Sequence, residues 1–228
     1  MECSHWRALR RFSCLWAISL SLSVSLFAAS RQVIIDNPKV RVLHIVIEPG
    51  DTTEIGSQDR ERVVVWLQQG SAEAILPGGH SVSNSWEQNE VKLERPGPSR
   101  PMRLKGSRPV GAIVVELKGK GDVRRAPTSP QNPWIIDARH YRMEFENSDV
   151  RVTRVKIGPH EGTPLHEHSL DRVVVYLTGM DFRVTPEGKG PEHEVQRAGA
   201  AAWGTPVRHA EYNLSNRGFE AVVIEPKY

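Results

Sequence analysis

Three histidines in the second half of this chain have the residue type and spacing of metal ligands. His166 and His168 stand at i and i+2 in Pro164-Leu165-His166-Glu167-His168. Side chains alternate along an extended chain, so the two imidazoles leave the same face, where neutral rings can grip one divalent ion together. A third, His209, follows the bend Gly204-Thr205-Pro206 and precedes Asn213 by four positions. An ion held by three protein ligands keeps open positions, from which it can polarise a carbonyl, lower the pKa of bound water or, if iron, bind dioxygen. The ligand set does not choose among iron, manganese, nickel and zinc. The competing reading is three unrelated, hydrogen-bonded histidines.

The histidine pair sits just before Val173-Val174-Val175-Tyr176-Leu177, a β-branched and aromatic run closed by Thr178-Gly179, which reads as a core strand ending in a turn. On such a strand 172, 174 and 176 share a face. Arg172 is therefore a candidate substrate-binding residue that fixes a carboxylate bidentately beside the metal, and it suggests a small organic acid as substrate. The alternative is a structural arginine, paired with an acid or turned out at the strand's start. Tyr176 shares that face and is a candidate hydrogen-bond donor to substrate, with core packing as its other reading. Glu167 alternates away from its histidine neighbours and is a poor fourth ligand. His160 and His193, the latter in a loop-like Gly/Pro stretch, are expected to face solvent, and Asn213 to cap a turn.

These elements belong to a repeat. Shifting the chain by 110 positions aligns Val40-Arg41-Val42 with Val150-Arg151-Val152, and Arg62-Val63-Val64-Val65-Trp66-Leu67 with Arg172-Val173-Val174-Val175-Tyr176-Leu177. A shift of 109 aligns Ala112-Ile113-Val114-Val115-Glu116 with Ala221-Val222-Val223-Ile224-Glu225. Short β-branched runs broken by Gly, Pro, Asn and Asp fill both copies and predict an all-β sandwich or barrel. The expected domains are 31–121 and 136–228, joined by a Pro-, Gly- and charge-rich linker over 122–135. In the first copy Gly56, Gln58 and Arg100 stand where His166, His168 and His209 stand in the second. The first copy thus lacks this metal site and is a structural partner or a distinct pocket. Arg62 in that copy favours a structural job for Arg172, and Trp66 favours core packing for Tyr176.

His166, His168, Gly179, His209 and Asn213 resemble the two motifs of the cupin superfamily in order and spacing. The sequence departs from the pattern twice: Arg172 occupies the place of the first motif's glutamate, and Gly204-Thr205-Pro206 exchanges the Pro and Gly of the second. The resemblance implies two tandem cupin-like β-barrels (double-stranded β-helices), with the motifs recognisable only in the C-terminal half. Cupins include dioxygenases, isomerases and decarboxylases as well as non-catalytic storage and sensing proteins, so the resemblance leaves enzyme and binding module both open. In ligand count, three histidines without the glutamate are similar to the thiol dioxygenases, which use iron.

Residues 1–30 read as a secretory signal, with Arg7, Arg10 and Arg11 ahead of an apolar region and small residues at Ala28-Ala29-Ser30. The apolar region is interrupted by serines and too short for a span, so no stable membrane anchor is expected after cleavage and the mature protein should be periplasmic or secreted. Both cysteines, Cys3 and Cys14, fall within this segment, which removes disulfides and thiolate ligands from the mature chain. Cleavage leaves 27 basic against 26 acidic residues, a balance that argues against nucleic acid as a partner. The expected partner is a small molecule, and a homodimer is compatible with the sequence.

Overall fold

The computed structural model describes residues 29–76, 78–98, 100–121 and 129–228. The proposed leader lies outside the described residues except for its last two positions, and Ser30 already begins the first strand.

The first half contains β1 (Ser30–Asp36), β2 (Val40–Ile47), β3 (Thr52–Thr53), β4 (Arg62–Trp66), β5 (Gly70–Ile75), β6 (Ser81–Trp86), β7 (Val91–Glu94), β8 (Met102–Lys105) and β9 (Val110–Leu117). A single helical turn, α1 (Pro133–Ile136), then leads into the second half. That half contains β10 (Tyr141–Glu146), β11 (Val150–Ile157), β12 (His166–His168), β13 (Arg172–Tyr176), β14 (Met180–Pro186), β15 (Glu192–Gln196), β16 (Ala201–Gly204), β17 (Val207–Asn213) and β18 (Phe219–Pro226).

Each half folds into two antiparallel sheets with matching strand order. In the first, β1-β2-β9-β4-β7 faces β3-β8-β5-β6; in the second, β10-β11-β18-β13-β16 faces β12-β17-β14-β15. The repeat persists in fine detail. Asn37 Oδ1 accepts from the amides of Lys39 and Val40 at 2.9 Å, and Asn147 Oδ1 accepts from those of Asp149 and Val150 at 2.8 Å, so the same Asx turn starts β2 and β11. A bulge interrupts the first hairpin of each half, between Val33 and Ile35 and between Met143 and Phe145.

Strands β4 and β13 are continuous apolar runs because both of their faces are buried. Val64 and Trp66 point into the first barrel with Leu43, Ile45 and Ile47. Val63 and Val65 point the other way, joining Val173, Val175, Val222 and Ile224 of the second half in one cluster of nearly zero exposure. The two five-stranded sheets are thus welded along a valine seam. Polar contacts brace its edges: Lys39 pairs with Asp171 at 2.9 Å, Asn147 Nδ2 donates to Glu61 at 2.6 Å, and the Tyr228 hydroxyl donates to the Lys39 carbonyl at 2.8 Å.

Two expectations need correction. His193 lies within strand β15 and not in a loop; a polar, exposed edge strand carries no apolar alternation to announce it. Its side chain does face solvent, beside Asp181 at 2.8 Å. The end of the expected linker is also structured: α1 starts at Pro133, where proline's missing N–H is no loss. Just ahead of it, the Gln131 carbonyl accepts from the Glu167 amide at 2.9 Å, which covers the free edge of the short strand β12.

Candidate metal centre

Strand β12 pairs antiparallel with β17, and the register sets His166 directly opposite His209. His168 follows on the same face. The three rings converge inside the second barrel, with centroids 4.6 Å apart for His166 and His209, 5.1 Å for His166 and His168, and 5.5 Å for His168 and His209. One potential ligand atom from each lies within 4.8 Å of the others, and all three residues are buried.

The hydrogen bonds indicate which ring nitrogens are free. His166 Nδ1 lies 3.0 Å from the Pro164 carbonyl, which only accepts, so Nδ1 carries the hydrogen. Its Nε2 is 3.2 Å from the Tyr141 hydroxyl, whose single hydrogen is committed to Glu211 at 2.8 Å. In the neutral ring, Nε2 therefore presents an unused lone pair. His168 Nδ1 and His209 Nε2 are buried with no hydrogen-bond partner. Orphaned polar atoms inside a barrel are costly unless something else satisfies them, and these two nitrogens together with the His166 lone pair fit a divalent cation.

Burial also pushes His168 and His209 toward their neutral forms. It depresses the pKa of His168 well below the usual value, with the Arg172 charge and the other two histidines adding to it. His209 is lowered to about 4, chiefly by burial and against the opposing pull of Glu211. Glu225, on β18, is raised to about 7 by its own burial. The 3.6 Å approach of His168 Nδ1 to Glu225 Oε1 is consequently no charged pair, since burial pushes both groups toward their neutral forms. Desolvation likewise raises Tyr141 far above the ordinary phenol value, with Glu211 contributing, so its O–H stays protonated.

Arg172 opens β13 opposite Gly204. Its Nη1 donates to the Thr205 carbonyl at 2.6 Å, and a Cβ at position 204 would sit 3.0 Å from its Cζ. The exchange of Pro and Gly in the second motif thus gives the guanidinium room. Its counterpart Arg62 bonds the Ser57 carbonyl at 2.6 Å in the same way, but also pairs with Glu94 at 2.7 Å. Glu94 and Gly204 occupy the same rung, opposite their arginines. Among the described residues Arg172 therefore has no carboxylate within ion-pair distance, although Glu211 and Glu225 act on it from farther away.

The other candidates fall into structural roles. Tyr176 packs in the barrel core with Phe182 and Phe219, as the Trp66 comparison favours, and burial raises its hydroxyl to about 12. Asn213 is fully buried: its Nδ2 donates to the carbonyls of Gly158 (3.0 Å) and Arg217 (2.8 Å), and its Oδ1 accepts from the Ser215 amide (3.0 Å). It is a loop staple. Glu167 turns outward to Ser129 at 2.6 Å, and His160 bonds Asn216 at 2.7 Å on the surface.

Sequence reasoning did not find Tyr141, Glu211 and Glu225. Glu211 was within reach, since 209, 211 and 213 alternate onto one face of β17. Tyr141 and Glu225 arrive from β10 and β18, and only the barrel's closure brings them to the histidines.

No protein-family model and no curated protein matches the sequence. Solved structures do. AerE from Microcystis aeruginosa superposes with a TM-score of 0.58 at 14% identity, over 88% of this chain and 98% of that one. Oxalate decarboxylase from Bacillus subtilis gives 0.58 at 10% identity, over 86% and 72%. A cupin 2 conserved barrel domain protein from Leptotrichia buccalis gives 0.55 at 9% identity, over 87% and 89%.

This chain has the bicupin fold.

At these identities the likeness is one of architecture. In that architecture the second cupin barrel carries a buried three-histidine cluster suited to a metal, and the first carries none of its counterparts.

Proposed function

We propose that the C-terminal cupin barrel holds a divalent transition metal (iron, manganese, nickel or zinc) through His166, His168 and His209, and acts on a small organic acid. The observation that carries this reading is the convergence of three buried imidazoles, two of which have a ring nitrogen without a hydrogen-bond partner. The manganese centres of Bacillus subtilis oxalate decarboxylase, a bicupin of similar architecture, support it. When bound, the ion supplies Lewis acidity to a substrate oxygen or, if redox-active, electron transfer, which fits reactions of the oxygenase or isomerase type.

The chain's own residues supply the rest. Arg172, with no carboxylate partner of its own, offers a bidentate site for a substrate carboxylate at the edge of the histidine cluster. The Pro164 carbonyl, accepting from Nδ1, is the outer partner that fixes the His166 ring and its basicity, while the Tyr141 hydroxyl donates to Glu211 beside Nε2. Tyr141, buried beside the histidines, belongs with Phe182 to the apolar core of this barrel, whose low local dielectric strengthens charge interactions. Export to the periplasm or beyond belongs to the same proposal and rests on residues 1–30.

Elemental analysis of protein purified from its native compartment tests the metal. We expect a stoichiometric divalent ion that is lost from the His166→Asn/His209→Asn variant while its circular dichroism is unchanged. Metal-free wild-type protein would leave a non-catalytic binding module as the better reading. Arg172→Gln tests the acid: metal retained, carboxylate affinity reduced. Unchanged affinity would return Arg172 to a purely structural role.

A further inference from the structure

The first barrel, which lacks the histidines, contains a cavity of about 400 Å3. Ligand pockets for small molecules span about 300–1,000 Å3, so this one suits a small compound and not a polymer. Its inner wall is aromatic: Trp66 and Trp86, both buried, stack with centroids 3.8 Å apart and planes at 16°. The Trp86 indole N–H is fixed on the Gln68 carbonyl at 3.0 Å, which holds the pair in place.

The charged part of the lining is mostly cationic. Arg62, Lys92, Arg95 and Arg100 border the cavity against one carboxylate, Glu94. Glu94 is engaged by Arg62 at 2.7 Å, and Lys92 by Glu90 at 3.0 Å. Arg95 and Arg100 are exposed and have no ion-pair partner among the described residues. Deeper in, Arg62 is 8% exposed and its Nε has no hydrogen-bond partner.

Comparison with the second barrel shows how one chamber became two chemistries. Gly56, at φ +72°, takes the place of His166, and a Cβ there would come 2.8 Å from the Arg62 Cδ. The arginine stem has thus taken the space that an imidazole would need. Gln58 stands for His168 and Arg100 for His209, so a site for a cation has been replaced by one that repels cations.

We propose that the N-terminal barrel is a metal-independent binding site for a small carboxylate bearing an aromatic ring. The ring lies in the apolar part of the lining, among Pro96, Pro98, Met102 and the edges of the tryptophan pair, where a flat apolar body gains burial. The carboxylate faces Arg95 and Arg100, whose guanidinium groups bind it through charge-assisted hydrogen bonds, with the buried Arg62 behind them. This site is independent of the metal centre and stands or falls separately from it.

Calorimetric titration of the purified full chain with phenylacetate, in EDTA and low salt, tests the proposal. We expect one saturable site. Acetate and benzyl alcohol, each carrying half of the recognised chemistry, should bind at least about tenfold more weakly, and Arg95→Gln/Arg100→Gln should weaken phenylacetate about tenfold with an unchanged melting temperature. The His166→Asn/His209→Asn variant should bind it as the wild type does. No saturable binding at millimolar phenylacetate, equal affinity in the double-arginine variant, or loss of binding in the histidine variant would each overturn the assignment.

Discussion

At the scale of single residues, burial pushes His168, His209, Glu225 and Tyr141 toward their uncharged forms. His168 and His209 have depressed pKa values, so between about pH 4 and 6.5 the unfolded chain binds protons there that the folded metal-free chain refuses. Glu225, raised to about 7, works the other way between about 4.5 and 7, because the folded state holds its proton longer. Two histidines against one carboxyl leave a net excess of about one proton on the unfolded chain, so metal-free stability should rise from pH 4.5 to pH 6.5. Urea midpoints at pH 4.5, 5.5 and 6.5 measure this, and His168→Asn/His209→Asn should reverse the slope, leaving Glu225 alone. A wild-type midpoint that falls across the window would contradict the burial of these rings. The histidines were legible in the sequence because strand alternation converts i, i+2 spacing into a shared face. Glu225 was not, since a lone acid in an apolar run looks like any strand-end charge.

At the scale of elements, a three-residue strand carries two of the three proposed ligands, and its neighbours must hold it. Strand β17 does this on one edge, and Asn213 anchors the end of β17 by bonding the carbonyls of Gly158 and Arg217. Asn213→Ala would leave these acceptors and the Ser215 amide without their partner in a buried place, at a cost of about 2–3 kcal/mol. Chemical denaturation measures that loss; a change below about 0.5 kcal/mol would mean that water replaces the amide. Strands such as β2, β4, β9 and their repeats were legible from β-branched runs between turn residues. Strand β15 and α1 were not, because one is a polar edge and the other a single turn positioned by contacts with β12 rather than by helical periodicity.

At the scale of the whole molecule, the valine seam is what makes two barrels one body. Val175 is fully buried in it, whereas Val195, on the exposed strand β15, is 61% exposed. Val175→Asp buries an unpaired carboxylate and should cost 4 kcal/mol or more on an order-of-magnitude scale, or abolish soluble expression; Val195→Asp should change stability by less than about 0.5 kcal/mol. Thermal melts of the two variants compare them directly, and equal melting temperatures would show that the seam contributes little. The tandem arrangement could be read from the repeat, but the seam could not. A strand buried on both faces shows an unbroken apolar run, which does not reveal what lies on its far side.

The strict in-and-out alternation of β4 and β13 also guards the alignment of the chain as it folds. Slipping either strand by one residue would drive a guanidinium into the dry layer of valines between the two sheets. Misaligned pairings are therefore penalised, and the arginines that open these strands also proofread the assembly of the walls around them.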